Sequence, residues 1–445
     1  MSRKYFGTDG VRGRVGQAPM TPDFAMHLGW AAGKVLARSH KPTVLIGKDT
    51  RRSGYMFESA LEAGFAAAGA NVDLLGPIPT PGVAYLTRVL GADAGVVISA
   101  SHNPHFDNGV KFFTAQGDKL SDELEMEIEA QLAKPLKCVE PEAVGHVMRI
   151  DDATERYFKY CVESYDGPEL SGLHIVLDCA HGAAYKVAPR VLVHLGATVS
   201  TLGIHPNGFN INLGCGSTDL AALKETVIKR KADFGIALDG DGDRCLMVDR
   251  KGKVLDGDDL MYVIARDRQA QGKLKGPVVG TLMSNLGLQQ ALESHDVKFL
   301  RAKVGDRYVL EMLKAKGGVI GGETSGHVLC LDKATTGDGL ISALQVVAAI
   351  KRSDRDLSSW AQELKKCPQV LVNVRITGDA KQMMNEPSVV DSVKQAEQKL
   401  GDSGRVLLRP SGTEPLIRVM VEAHDAVLCK AEADKIADVV RALCA

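Results

Sequence analysis

The chain has 445 residues, 45% hydrophobic and 24% charged, with 54 Lys+Arg against 55 Asp+Glu. This is globular composition and excludes wholesale disorder, and a net charge of −1 excludes a global basic surface for nucleic acid or anionic membrane. Any anionic ligand must therefore be held by local clusters, and the length predicts about two to four domains.

The opening MSRKYFGTDG lacks the apolar stretch of a secretory signal. The most apolar run, residues 339–350, is too short to span a bilayer and is broken by Ser342 and Gln345. The nine cysteines never form a C-x-x-C pair, so neither a zinc site nor a disulfide framework is expected, and Cys179 and Cys330 read as core residues. A reducing, cytoplasmic compartment is the expectation.

Along the chain, short apolar runs alternate with helical patterns. Strands are predicted at 43–47, 95–99, 174–178, 234–238, 278–282 and 318–321. Several are apolar on both faces, as strands between helix layers should be. Thr21 and Pro22 open a helix over 23–37, Ser53 opens one over 54–68, a further helix is read over 153–165, and Asp219 opens 220–231. This alternation predicts α/β units with mostly parallel sheets. The last eighty residues differ. Val370, Val372, Val374 and Ile376 alternate with less apolar neighbours, as do Ile417, Val419 and Val421. That period of two predicts an antiparallel sheet, covered by helices at 391–400 and 430–443. The boundaries expected are 1–150, 151–253 and 254–366 for three α/β domains and 367–445 for a C-terminal α+β domain.

Four loops carry chemistry. Asp239-Gly240-Asp241-Gly242-Asp243-Arg244 follows a buried strand, and three carboxylates at alternate positions on a glycine-flexible turn can converge on one hard cation. An EF-hand would need Gly at the sixth loop position and Glu at the twelfth, where this chain has Arg244 and Arg250. Ser99-Ala100-Ser101-His102-Asn103-Pro104 ends another strand, where open α/β sheets place ligands. Ser101 lacks the glycines of a hydrolase elbow; a phosphoryl-carrying serine beside a metal fits better, against the plain reading of a serine turn. Lys111, within the apolar VKFF, is either a solvated edge residue or a proton-transfer group. Gly321-Gly322-Glu323-Thr324-Ser325-Gly326-His327 could hydrogen-bond sugar hydroxyls, with His327 as acid or base, or be a simple polar loop. Arg409-Pro410-Ser411-Gly412-Thr413-Glu414-Pro415, with Arg418, reads as an anion nest between the two alternating strands. A Walker-type nucleotide loop does not occur.

Thr8-Asp9-Gly10-Val11-Arg12-Gly13 and these four loops, in this order, resemble the α-D-phosphohexomutase superfamily over essentially the whole chain. KYFGTDGVRG, ISASHNPHFDNGVKFF and GGETSGH are similar to its bacterial phosphoglucosamine mutase branch, with Thr324 where the phosphomannomutase/phosphoglucomutase branch typically has methionine. Ala180-His181-Gly182 departs from relatives that carry asparagine before the glycine.

The resemblance implies four domains around a central cleft, three related α/β domains with mixed, mostly parallel sheets and a smaller C-terminal α+β domain, and an intramolecular phosphotransferase. Ser101 would be the phosphoserine, and Ser101 with Asp239, Asp241 and Asp243 would hold one Mg²⁺. Arg12 and Arg244 would line the phosphoserine pocket, and Lys111 and His327 would move the proton. Glu323 and Ser325 would grip the sugar, and Arg409, Ser411, Gly412, Thr413 and Arg418 its non-reacting phosphate. It further implies sugar-phosphate substrates, a glucosamine 1,6-bisphosphate intermediate, and no nucleic-acid or membrane partner. A homodimer, and activation by a kinase or by autophosphorylation, stay open. The rivals are a phosphoglucomutase or phosphomannomutase with the same machinery, a metal-dependent phosphatase, and a non-catalytic sugar-phosphate sensor.

Overall fold

The computed structural model describes residues 4–7, 9–37, 40–411 and 414–444. Its chain divides into two compact units, residues 1–281 with 302–361, and residues 282–301 with 362–445.

The larger unit is built on three mixed sheets. In the first, the strand order is Val11–Arg14, Asp107–Thr114, Ala94–Ile98, Thr43–Lys48, Asn71–Pro77, Val147–Arg149. Thr43–Lys48 runs parallel to both neighbours, while Asp107–Thr114 is antiparallel to Ala94–Ile98 and to Val11–Arg14. The helices Pro22–Leu36 and Arg52–Ala68 pack Leu28, Phe57, Leu61 and Phe65 onto Val44, Ile46 and Val96 in one core. In the second sheet His174–Asp178 runs parallel to Thr198–Leu202 and to Phe234–Leu238, and Phe234–Leu238 is antiparallel to Cys245–Asp249. In the third, Val278–Thr281 is parallel to Ile320–Gly322, which is antiparallel to Val328–Cys330.

One arrangement therefore recurs three times. A buried parallel strand (Ala94–Ile98, Phe234–Leu238 or Ile320–Gly322) ends in a polar loop and returns as an antiparallel neighbour. The three returns carry Ser101, the aspartate triplet, and Glu323 with His327. Within this unit the sheets bring all three loops to one place.

The smaller unit has a three-stranded antiparallel sheet with Leu416–Ala423 between Gln369–Arg375 and Gly404–Pro410. Helices Pro387–Leu400 and Ala426–Ala442 cover it through Val389, Ala396, Ile436 and Val440. Loop 409–415 joins Gly404–Pro410 to Leu416–Ala423, which corrects the reading that it follows the strand at 370–376. In Gly404–Pro410 the adjacent Val406, Leu407 and Leu408 blur the alternation. Residues 282–301 belong with this unit because Arg405 donates to the carbonyls of Leu282 (2.9 Å) and Ser284 (2.8 Å) and to the buried carboxylate of Glu422 (2.5 Å). Both helices start earlier than expected: Pro387 occupies a first-turn position, and Asp425 caps the amides of Val427 (2.8 Å) and Leu428 (3.1 Å). Among the described residues no helix is long and apolar enough to cross a membrane, and all nine cysteines are free, with Cys179 and Cys330 buried.

Candidate active site

Ser101 lies just past the strand Ala94–Ile98, buried, with a left-handed φ of 50°. A non-glycine residue holds that conformation only where its surroundings fix it. Its amide donates to Ser99 Oγ (2.9 Å), and Ser99 Oγ donates to Asp49 Oδ2 (2.5 Å). Its carbonyl accepts from Asn212 Nδ2 (2.9 Å) and from Arg51 Nη2 (3.3 Å). Arg51 is wholly buried and also pairs with the Asp49 carboxylate and the carbonyl of Asn103. Gly240 is required beneath this loop, since a Cβ there would lie 2.6 Å from the Ser101 carbonyl oxygen.

Ser101 Oγ donates to Asp239 Oδ2 at 2.6 Å and lies 3.2 Å from His102 Nδ1. Burial, with the nearby charges of Arg244 and Arg12, pushes His102 down to about 4, so it is neutral at physiological pH. The field around Ser101 is thus electropositive on the side of these arginines. Both are partly buried, and their Nε atoms have no hydrogen-bond partner. Arg12 pairs with Asp9, and Arg244 Nε lies 3.9 Å from Asp243 Oδ1.

Asp239, Asp241 and Asp243 are all buried, with one carboxylate oxygen of each within 4.8 Å of the others. Burial and the charges of Asp241 and Asp243 push the Asp239 carboxyl well above its ordinary value. Asp241 Oδ2 accepts from Thr80 Oγ1 (2.7 Å) and Lys111 Nζ (2.8 Å), whereas Asp241 Oδ1 and Asp243 Oδ1 are buried with no hydrogen-bond donor. Two orphaned carboxylate oxygens beside a third carboxylate fit a hard divalent cation, because an unneutralised cluster of this kind repels itself. The segment Ala180-His181-Gly182 backs this loop: Ala180 and His181 have φ of 54° and 50°, and the amide of Ala183 donates to the carbonyl of Gly240 (2.8 Å).

Lys111 is an interior strand residue, not a solvated edge one. It is buried, and its ammonium meets Asp241, Asp9 (3.1 Å) and Asp243 (3.6 Å). Burial opposes its charge, but those three carboxylates outweigh burial and raise its pKa. His327 is buried, with Nδ1 3.7 Å from Asp243 Oδ2 and Nε2 3.3 Å from Asp306 Oδ2. Burial again opposes the charged form, yet Asp243 and Asp306 raise His327 to about 9. Gly337 packs flat on this ring; a Cβ there would lie 2.3 Å from Nε2. Glu323 is half-buried and accepts the amide of Gly305 (2.9 Å), while Ser325 is exposed.

Ser101, Lys111, the three aspartates, Arg12, Arg244, Glu323 and His327 thus belong to one unit. Arg409, Ser411 and Arg418 belong to the other. There Arg409 and Arg418 face each other on paired strands. Burial and the Arg418 charge lower the Arg409 pKa, and Arg418 Nε is buried with no hydrogen-bond partner. Two facing guanidiniums suit an anion. Gly412 and Thr413, like Thr8, lie outside the described residues. The sequence reading missed Asp9, Asp49, Arg51, Thr80, Lys119, Asn212 and Asp306. Asp9 stands inside a quoted motif, and Asp49 and Arg51 stand in the polar run 48–53 that ends the predicted strand 43–47, a signal of the same kind as the four loops; the other four carry no such local cluster.

Comparison with known proteins agrees over the full length. Four models of phosphoglucomutase/phosphomannomutase match: alpha/beta/alpha domain I at residues 3–137, domain II at 155–252, domain III at 256–367, and the C-terminal domain at 371–439. The chain is 56% identical to the phosphoglucosamine mutase of Ectopseudomonas mendocina, covering 100% of both chains. It is 58% identical to that of Chromohalobacter salexigens, covering 98% of both. In fold it matches a phosphoglucomutase/phosphomannomutase family protein from Burkholderia thailandensis (TM-score 0.83, 22% identity, 99% and 98% of the two chains covered). It also matches the Aspergillus fumigatus N-acetylphosphoglucosamine mutase crystallised with GlcNAc-6P and magnesium (TM-score 0.70, 17% identity, 100% and 96% covered).

Proposed function

The chain belongs to the phosphoglucomutase/phosphomannomutase family, and from that premise we propose that it interconverts glucosamine 6-phosphate and glucosamine 1-phosphate. The observation that carries the chemistry is Ser101 Oγ, 2.6 Å from Asp239 Oδ2 within the aspartate cluster. The amino sugar is supported by the identity of 56–58% to full-length phosphoglucosamine mutases.

In this reading Ser101, as phosphoserine, gives its phosphoryl group to the free hydroxyl of glucosamine 6-phosphate. The 1,6-bisphosphate turns over in place and returns its other phosphoryl group to Ser101, and glucosamine 1-phosphate leaves. A divalent cation held by Asp239, Asp241, Asp243 and the Ser101 phosphate, Mg²⁺ by our assignment, would neutralise charge on the transferring group. Arg12 and Arg244 bind the phosphoserine oxygens, which their unpartnered Nε atoms support. Lys111 and His327 carry the proton to and from the reacting hydroxyls. Glu323 and Ser325 hold the sugar. Arg409, Ser411, Gly412, Thr413 and Arg418 hold whichever phosphate is not reacting, so this nest must accept both ends of the substrate. Domains at 1–150, 151–253, 254–366 and 367–445 then divide the work, one loop each, in a cytoplasmic enzyme that supplies amino sugar for UDP-N-acetylglucosamine and cell-wall precursors.

The test is kcat/KM for glucosamine, glucose and mannose phosphates with Mg²⁺ and a trace of the matching bisphosphate, with Ser101→Ala as the blank. Preference for the amino sugar and an inactive blank are expected. A preference for glucose or mannose overturns the substrate assignment, and an active Ser101→Ala protein overturns the phosphoserine route.

A further inference from the structure

Six charged side chains close into a ring beside the aspartate cluster. Starting at Asp243 Oδ2, the path runs 3.7 Å to His327 Nδ1, then from His327 Nε2 3.3 Å to Asp306 Oδ2, and 2.6 Å on to Lys119 Nζ. From Lys119 Nζ it runs 2.6 Å to Asp9 Oδ1, from Asp9 Oδ2 3.1 Å to Lys111 Nζ, and 3.6 Å back to Asp243 Oδ2. Carboxylates and nitrogen bases alternate all the way round. Half of the ring, Asp243, His327 and Lys111, is the machinery assigned above. The other half, Asp9, Lys119 and Asp306, has no role in that mechanism.

We propose that Lys119 and Asp306 are positioning residues, which hold the imidazole of His327 and, through Asp9, the ammonium of Lys111 in the geometry that proton transfer requires. The inference rests on the phosphoserine route proposed above. His327 has two ring nitrogens and Asp243 reaches only one, at 3.7 Å; the Asp306 carboxylate lies 3.3 Å from the other, which makes no hydrogen bond, and attracts it electrostatically while Gly337 packs against the ring. Asp306 itself would be repelled by Asp9 without an ammonium between them, and Lys119 Nζ lies 2.6 Å from a carboxylate oxygen of each. Both halves of the support are themselves anchored. Lys119 closes the turn after strand Asp107–Thr114, where the amide of Thr114 donates to the carbonyl of Asp118 (2.7 Å). Asp306 opens the helix Asp306–Lys316 directly after Gly305, whose amide is held by Glu323 Oε1 (2.9 Å).

Docking of that helix onto the turn does not depend on Lys119. Arg307 pairs with Asp122, and Lys314 pairs with Asp118 at 2.7 Å. Removing the Lys119 ammonium should therefore loosen His327 while leaving the two elements together, which separates positioning from scaffolding.

The test is a double-mutant cycle on the full-length enzyme, with Lys119→Met and His327→Asn alone and combined. Since misplacing a reacting group costs up to about 100-fold, Lys119→Met should lower kcat at least about tenfold with KM within about twofold, and Lys119→Arg should restore most of it. In the His327→Asn background, the same Lys119→Met change should cost at least about threefold less than in the wild type, because one of the two groups it acts through is gone and only the branch through Asp9 to Lys111 is left. Equal losses in both backgrounds, or an unchanged kcat for Lys119→Met, would overturn the proposal. Should Lys119→Met fail to fold, Asp306→Asn runs through the same cycle with the same criteria. The wild-type reaction distinguishes the two levels: an inactive wild type on every hexose phosphate sinks the function, whereas an active wild type with an additive cycle sinks only the positioning role.

Discussion

Asp338 should limit the stability of the larger unit at neutral pH. It caps the buried helix Gly339–Ser353, accepting from the amide of Ile341 (2.9 Å) and from the Tyr157 hydroxyl (2.7 Å), and is itself almost fully buried. Burial, partly offset by those two hydrogen bonds, raises its carboxyl from the ordinary 3.8 to about 6. The folded state therefore binds the proton more tightly than the unfolded chain does. The penalty is absent below the unfolded value of 3.8, grows as pH rises, and is complete above about 6. That rise corresponds to about 3 kcal/mol at neutral pH. Asparagine reproduces the neutral acid, since its oxygen can cap Ile341 and its NH₂ can donate to Tyr157, whose hydroxyl rotates to accept. Asp338→Asn should accordingly stabilise the helix by up to about 3 kcal/mol at pH 7.5, by about 1 kcal/mol at pH 4.5, and by almost nothing below about pH 3. Hydrogen exchange of the Gly339–Ser353 amides, read by mass spectrometry on both proteins across that range, measures the opening free energy directly. A difference that does not change with pH, or a less stable variant at pH 7.5, would show that the carboxylate is paid for by its hydrogen bonds and refute the argument.

Three further outcomes follow from the site. Gly337→Ala places a methyl group 2.3 Å from His327 Nε2, so kcat should fall about tenfold or more with little change in KM, measured by steady-state kinetics. Asp243→Asn removes one charge from the cluster and should weaken Mg²⁺ or Mn²⁺ binding at least about tenfold by calorimetry, through loss of a charged ligand. Arg409→Met leaves Arg418 without its companion guanidinium; KM for the sugar phosphate should rise about tenfold or more, as loss of a charge-assisted contact of about 1.5–3 kcal/mol requires.

Much of this architecture was legible in the sequence because it is local. The strands 174–178 and 234–238 match the sequence reading to the residue, since an apolar run with an aspartate at or just after its end and a glycine-containing turn beyond admits little else. Strand 43–47 extends one residue further to Lys48, a buried lysine paired with Glu58, which the apolar pattern could not include. Helix 54–68 begins at Arg52 and not after a Ser53 cap, because Arg51 is drawn inward by Asp49 and takes the capping position. The three loops were legible for the same reason, each a dense cluster of polar residues on one turn.

What stayed hidden is the support that makes those loops work, and the cause is geometric. Ser101 is held by Asp49 and Arg51 at the end of the neighbouring strand and by Asn212 from a turn 111 residues away. Lys119 and Asp306 meet across 187 residues of chain. Period, propensity and motif report on residues within one element, whereas an ion pair between elements leaves only a lone charged residue at each end. Such pairs become visible once the recurrence of parallel strand, polar loop and antiparallel return is recognised, because that recurrence sets three loops facing one another. Anything charged and buried just outside them must then be compensating a neighbour. By that reasoning the ring through Lys119 is a consequence of crowding Asp9, Asp243 and Asp306 beside the aspartate cluster: carboxylates packed in so small a volume need cations between them, and Lys111, Lys119 and His327 stand there.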